Sequence, residues 1–223
     1  MILYAIPTPL GGSPEECLPR ASIDRINTLK DFAVENAKSA RAFLASLGMP
    51  VRELNIFEIQ PDSLLPLREG RPMGLLSEAG CPAIADPGAA VVDAAHREGF
   101  KVVPLVGPSS LVLALMASGL EGQRFAFCGY LPREKADRTR RIRELELRSR
   151  REDETQIFIE TPYRSDALLD ALLETLAPST RVCVAVDLTL PGETIISKPV
   201  GAWRRGRQPI GKRPAVFLLL AKA

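Results

Sequence analysis

The sequence predicts an α/β protein of two domains, with a mostly parallel sheet in the first and a mixed sheet in the second. Three observations predict it. Short runs rich in β-branched residues alternate with segments of helical period through the first half. In the second half the last two strand-like runs have no long helix between them, which points to antiparallel pairing. The chain has 223 residues, long for one small domain and comfortable for two. The boundary is expected where Gly119 and Gly122 follow "LVLALMAS", giving domains of residues 1–119 and 120–223.

In chain order, strands are expected at "MILYAI" (1–6), "DFAVE" (31–35), "ELNIFEI" (53–59), "GLLSE" (74–78) and "KVVPLV" (101–106). Helices between them include "NAKSARAFLASLG", stopped by Gly48, and "PGAAVVDAAHREG", stopped by Gly99. Short helix-linked strands usually run parallel with right-handed crossovers. The second half offers the strands "FAFCGY", "TQIFIE", "RVCVAVD", "ETIISKPV" and "AVFLLLAK".

Composition excludes several classes. Hydrophobic residues make up 46% and charged residues 25%, an ordinary globular balance. The longest apolar runs stop well short of the ~18 residues of a membrane span. "MILYAIPTPLGG" lacks the basic start and small-residue cleavage site of a secretory signal, so a cytoplasmic location is expected. The cysteines Cys17, Cys81, Cys128 and Cys183 are scattered and His96 is the lone histidine, so no metal site is expected and reduced thiols packed as small hydrophobes are. A net charge of +2 does not argue for nucleic acid by itself. The basic residues do concentrate in "REKADRTRRIRELELRSRR", Arg133 to Arg151. That segment reads either as a solvated helix laced by ion pairs or as a face that tracks phosphates; its interleaved acids favour the first.

The loops after the strands carry the functional signal. "SEAGCPAIADPG" is long for a connector and holds two carboxylates, Glu78 and Asp86. "PTPLGGSP", "VGPSS" and "ETPYR" occupy equivalent places after other strands. Asp86 before Pro87 and Thr161 before Pro162 have the form of a helix cap followed by a first-turn proline. Strand C-termini of a parallel sheet share one edge, and open α/β sheets bind ligands there. The ligand is not a dinucleotide held by a G-x-G-x-x-G loop, because "PTPLGGSPEE" lacks that pattern. "GRQPIGKR" (206–213) matches a phosphate loop by letter, but it lacks the Ser/Thr for magnesium and leads into a strand.

"LLSEAGCPAIADPG", then "VVPLVGPSSLVLALMASGL", then F-x-F-x-G-Y-L-P-R and "IFIETPYR", resemble the tetrapyrrole-methylase superfamily of S-adenosylmethionine-dependent methyltransferases. Within it the chain is similar to the branch containing the small-subunit rRNA 2′-O-ribose methyltransferases that modify a cytidine. The similarity runs from "LYAIPTPLGG" to "PAVFLLLAK". It implies two α/β domains, S-adenosylmethionine in a cleft between them held largely by main-chain contacts, a homodimer, and RNA of the small ribosomal subunit as partner. Carried over by position, the cofactor contacts are Pro9, Ser77, Glu78, Ala79, Gly80, Cys81, Ile84, Ala85, Asp86, Ser109 and Ser110. Thr161, Leu188, Pro214 and Ala215 follow in the second domain. The substrate side departs from the pattern: the rRNA enzymes show Asp-Thr-Arg after the second strand, where this chain reads Glu35-Asn36-Ala37-Lys38-Ser39-Ala40-Arg41.

Methyl transfer to a sugar hydroxyl needs a base to take the proton, and Glu35, Glu78, Asp86 and Glu160 lie at or after strand ends. Glu35 and Glu160 are alternatively partners of Lys38, Arg41 or Arg164, and Asp86 is alternatively a helix cap. Three functions stay open on these residues: methyl transfer to RNA, methyl transfer to a tetrapyrrole-like or other small molecule, and non-enzymatic binding of the cofactor.

Overall fold

A computed structural model describes residues 1–60 and 62–222. Its contacts divide the chain into two units, Met1–Ser109 and Ser110–Ala223.

The first unit contains β1 (Ile2–Ile6), α1 (Pro14–Cys17), α2 (Arg20–Ile26), β2 (Asp31–Val34) and α3 (Ala37–Ser46). It continues with β3 (Asn55–Glu58), α4 (Leu65–Arg68), β4 (Met73–Leu76), α5 (Ala89–Arg97) and β5 (Lys101–Pro104). All five strands expected from the sequence form, and every pairing is parallel, in the order β3-β2-β4-β1-β5. Alternate strand residues feed two cores. Tyr4, Ile6, Phe32, Val34 and Leu76 pack with Ile23, Ile26 and Leu44 of α2 and α3. Leu3, Ala33, Met73 and Leu75 pack with Leu64, Leu67, Val91 and Ala95. The sheet is therefore covered on both faces, which a parallel sheet requires. Gly48 and Gly99 stop α3 and α5 with φ of +79° and +75°, as their positions predict.

The second unit contains α6 (Ser110–Ser118), β6 (Phe125–Tyr130), α7 (Lys135–Glu152), β7 (Thr155–Glu160) and α8 (Ser165–Thr175). β8 (Arg181–Val186), β9 (Thr194–Pro199), α9 (Val200–Arg205) and β10 (Ala215–Leu220) complete it. Its sheet is mixed, in the order β6-β7-β10-β8-β9. β6 and β7 are parallel, and β10 runs antiparallel to both β7 and β8. The last strand thus inserts into the middle of the sheet, so the antiparallel pairing expected for the last two strands does not form: β8 separates β9 from β10 and runs antiparallel to both. Its six residues are all buried, and Phe217 stacks on Phe158 with ring centroids 5.9 Å apart. Helix α6, expected in the first domain, packs against β8, β9 and β10. Its position accounts for the difference between the contact boundary at 109/110 and the sequence expectation at 119/120.

Helix α7 follows from its sequence. Ile142, Leu145 and Ser149 recur at helical spacing and are the buried stripe. Glu146 accepts from Ala177 N at 2.9 Å and from the Thr180 hydroxyl, tying the helix to the loop before β8. The outward face carries pairs Arg140–Asp137 (2.9 Å), Arg141–Glu144 (3.2 Å) and Arg151–Glu152 (2.6 Å). These pairs fit the first of the two readings of that segment, a solvated helix laced by ion pairs. No helix among the described residues is long and apolar enough to cross a membrane.

Candidate functional site

In the first unit the loops after β1, β4 and β5 meet at one sheet edge. The register places Ile6 beside Leu76 and Ala5 beside Pro104, so all three chains leave the sheet together. Thr8 and Gly80 then form an antiparallel bridge, Thr8 N to Gly80 O at 2.9 Å and Gly80 N to Thr8 O at 3.0 Å. Thr8 Oγ1 donates to Ser77 O, and Cys81 Sγ lies 3.3 Å from Pro108 O. Pro9, Ser77 to Cys81 and the Gly107–Ser109 turn are thereby stitched into one surface. The convergence expected from turn chemistry is real in this unit.

The long loop has an unusual backbone. Gly80 and Gly88 have φ of +78° and +130°, and Ala83 and Ala85, which carry side chains, have φ of +66° and +65°. Left-handed alanines cost on the order of 1–2 kcal/mol each, and such strain concentrates where a binding surface must be shaped. Gly107 differs. A Cβ there would lie 2.4 Å from Pro7 Cβ and 2.9 Å from Leu18, so this glycine serves close packing inside the unit.

Three of the four candidate bases gather beside the loop. Glu35 sits one residue past β2, and its Oε2 accepts from Glu78 N at 3.0 Å. Glu78 Oε1 in turn accepts from Ser39 Oγ at 3.1 Å, close to the start of α3, where the Asn36 side chain caps Lys38 N and Ser39 N. Burial pushes the Asp86 carboxyl above its ordinary range; Glu35 adds to this against a hydrogen bond from Ser77, and Glu78 raises it further. Among the described residues no Lys or Arg forms an ion pair with Glu35, Glu78 or Asp86, and the alternative pairing of Glu35 with Lys38 or Arg41 does not occur; Arg41 donates to Ala37 O. Asp86 is not a helix cap either. α5 starts after Gly88 without a side-chain capping bond, because Pro87 and Gly88 complete one more turn first.

In the second unit the other expected residues share one edge. Antiparallel pairing sets Ala215 opposite both Glu160 and Val186, and Asp187 N donates to Pro214 O at 3.1 Å. Thr161, Leu188, Pro214 and Ala215 are neighbours for that reason. Glu160 is committed elsewhere: it is buried, pairs with Arg164, and accepts from Thr161 N at 2.7 Å. Thr161 stands before a 3-10 turn, Pro162–Arg164, without a capping bond from its side chain. Asp187 and Thr189, which the sequence did not single out, flank Leu188 with φ of +51° and +69°. The neighbouring Pro191-Gly192 pair was the available signal.

The loop surface of the first unit thus combines left-handed backbone with carboxylates that form no ion pair among the described residues. Residues 59–202 match the model of the Tetrapyrrole (Corrin/Porphyrin) Methylases. A "Ribosomal RNA small subunit methyltransferase I" from Vibrio cholerae is 33% identical over 89% of this chain and 69% of its own length. A protein of the same name from Leptospira biflexa is 30% identical over 98% of this chain and 90% of its own. The solved methyltransferase CobJ superposes over 99% of this chain and 93% of its own, with a TM-score of 0.64 at 18% identity, a likeness of fold. The chain belongs to the tetrapyrrole (corrin/porphyrin) methylases and is a methyltransferase.

Proposed function

We propose that this enzyme transfers a methyl group from S-adenosylmethionine to ribosomal RNA of the small subunit, at a ribose 2′-hydroxyl. The observation that carries the reading is the carboxylate group Glu35, Glu78 and Asp86, left without cationic partners beside a left-handed loop. The names of the relatives supply the acceptor class.

S-adenosylmethionine supplies a methyl carbon on a positively charged sulfonium, whose charge disappears on transfer. Pro9, Ser77, Glu78, Ala79, Gly80, Cys81, Ile84, Ala85, Asp86, Ser109 and Ser110 are the proposed contacts, with Thr161, Leu188, Pro214 and Ala215 as further ones. The loop of Ser77 to Asp86 is proposed to bind mainly through its backbone, whose course is set by the left-handed residues Gly80, Ala83 and Ala85. The carboxylates, none of which forms an ion pair among the described residues, favour a positively charged group at this surface. Fixing the donor against an incoming hydroxyl is worth several kcal/mol of barrier, in the range of about 7–11 for ideal alignment. Asp86 is the proposed base: it lies on the same long loop as Glu78, half-buried, and burial raises its proton affinity above that of an ordinary carboxylate. Glu35 positions the loop through Glu78 N.

A homodimer in the cytoplasm goes with this reading. Exposed apolar side chains of the second unit, Phe125 and Phe127 on β6 and Met116 on α6, support association of two copies. The test supplies labelled methyl donor together with undermethylated small ribosomal subunits and, separately, with a tetrapyrrole precursor. Label in the RNA alone is the expected result; label in the tetrapyrrole alone would replace the acceptor.

A further inference from the structure

Tyr163 is 80% exposed, the highest value among the large hydrophobic side chains of the described residues. Single exposed aromatics are common and need no function. Two features separate this one. Its mount is rigid: Tyr163 is the middle residue of the 3-10 turn after β7, closed by Arg164 N to Thr161 O at 2.9 Å. Glu160 fixes both sides of that turn, through Thr161 N and the Arg164 guanidinium. The ring also carries a cation, since Lys212 Nζ lies 5.4 Å from its centroid.

The charge balance around the ring points the same way. Arg164 is paired with Glu160, Arg207 with Asp166 and Asp170, and Arg213 with Asp187. Lys212 forms no ion pair among the described residues and is exposed. Its position is nevertheless set. Asp166 accepts from Ile210 N at 3.0 Å and Gly211 N at 2.9 Å, pinning the two residues before it. The segment "GRQPIGKR" therefore folds as an ordered loop that delivers one uncompensated ammonium to one open aromatic ring.

We propose that Tyr163 and Lys212 form a recognition element for the RNA substrate, the ring stacking on an unpaired base and the ammonium contacting the adjoining phosphate. Every base has a π-face, and proteins that bind single-stranded RNA combine aromatic platforms with nearby cations. The ring and ammonium stand beside Thr161 and the strand that begins at Ala215, so they belong to the edge of the second unit where contacts with the reaction are proposed. This inference rests on the RNA reading given above.

The enzyme, with Tyr163→Ala, Tyr163→Phe and Lys212→Gln variants, is assayed for methyl transfer to undermethylated small ribosomal subunits. Tyr163→Ala should raise KM for the subunits about tenfold, while Tyr163→Phe, which keeps the ring, stays within about twofold of the parent. Lys212→Gln should raise KM and flatten its log–log salt dependence by about 0.7, the loss of one single-strand phosphate contact. S-adenosylmethionine affinity, read by calorimetry, stays constant throughout. A parent that methylates RNA while Tyr163→Ala keeps its KM overturns the element and leaves the RNA reading intact. Equal losses in Tyr163→Ala and Tyr163→Phe overturn stacking, as does an unchanged salt slope in Lys212→Gln for the phosphate contact. A parent that transfers no methyl to RNA overturns the RNA reading, and this inference with it.

Discussion

Glu35 Oε2 accepts a hydrogen bond from the backbone N–H of Glu78 at 3.0 Å, joining the end of one parallel strand to the loop that follows its neighbour. The pairing of Val34 with Leu76 makes this contact available, and Glu35 N donates to Leu76 O at 3.1 Å just before it. One side chain thus holds the entry of the long loop. Replacing Glu35 by Ala should cost about 1–2 kcal/mol of loop order and weaken S-adenosylmethionine binding about fivefold to thirtyfold. Glu35→Gln retains an acceptor oxygen and should recover most of the affinity. Calorimetric titration of the three proteins distinguishes these outcomes, and equal affinities would show that the bond does not shape the site.

Asp86 couples stability to pH in the direction opposite to a salt-bridged aspartate. Its folded-state pKa lies above the ordinary value, so the neutral form favours the folded state. The contribution is fully present below the unfolded-state pKa and is lost as pH rises through the folded one. Ionisation of this carboxyl is therefore disfavoured in the folded state. Asp86→Asn should raise the melting temperature at pH 7, by an increment that shrinks as the pH falls toward 4. The same variant should lose methyl transfer, an exchange of activity for stability common at binding sites. A variant that is less stable at pH 7 would contradict this assignment.

Gly80 and Gly107 lie on the same loop surface and should respond differently to substitution. Gly107→Ala places a methyl group 2.4 Å from Pro7 Cβ and should destabilise the protein by about 1–3 kcal/mol. Gly80 has φ of +78°, with a Cβ position 3.3 Å from a flexible end of Leu10. Gly80→Ala should cost about 1–2 kcal/mol, mostly from backbone strain, and should also weaken cofactor binding. Chemical denaturation combined with ligand titration separates the two; cofactor affinity reduced by Gly107→Ala in a protein of parental stability would argue against the packing role.

Much of this arrangement was legible in the sequence. Strand runs such as "DFAVE" and "GLLSE" announce themselves by β-branched and apolar content, and Gly48 and Gly99 mark where helices end. The convergence of the Thr8, Gly80 and Pro108 loops followed from parallel strands alone. Other features depend on contacts between distant residues. β10 enters between β7 and β8, and nothing local in "AVFLLL" specifies those neighbours over β9. Helix α6 is apolar on most sides, so its sequence does not say which sheet it covers. Asp86-Pro87 has the form of a cap, but Gly88 lets the chain turn once more and frees the carboxylate. The Glu35–Glu78 contact spans 43 residues and required the register of β2 on β4.

The ion pairs on α7 yield a negative expectation. Arg140 and Arg141 are already engaged by Asp137 and Glu144, and exposed pairs of this kind are worth about 0–1 kcal/mol. Changing Arg140, Arg141 and Arg143 together to Gln should leave RNA affinity and its salt slope near parental values. A slope reduced by about two or more would make this helix a phosphate-tracking face after all.

The central claim is that the loop surface of the first unit supports methyl transfer to a ribose hydroxyl of ribosomal RNA, and the chemistry of the product tests it most directly. Undermethylated small ribosomal subunits are incubated with the enzyme and labelled S-adenosylmethionine, and the RNA is then digested with alkali. A 2′-O-methyl group removes the hydroxyl that alkali needs for cleavage, so label is predicted in a single alkali-resistant dinucleotide, and to disappear with Asp86→Asn. Label recovered in ordinary mononucleotides would place the methyl group on a base, and label absent from the RNA while the cofactor binds would contradict the account.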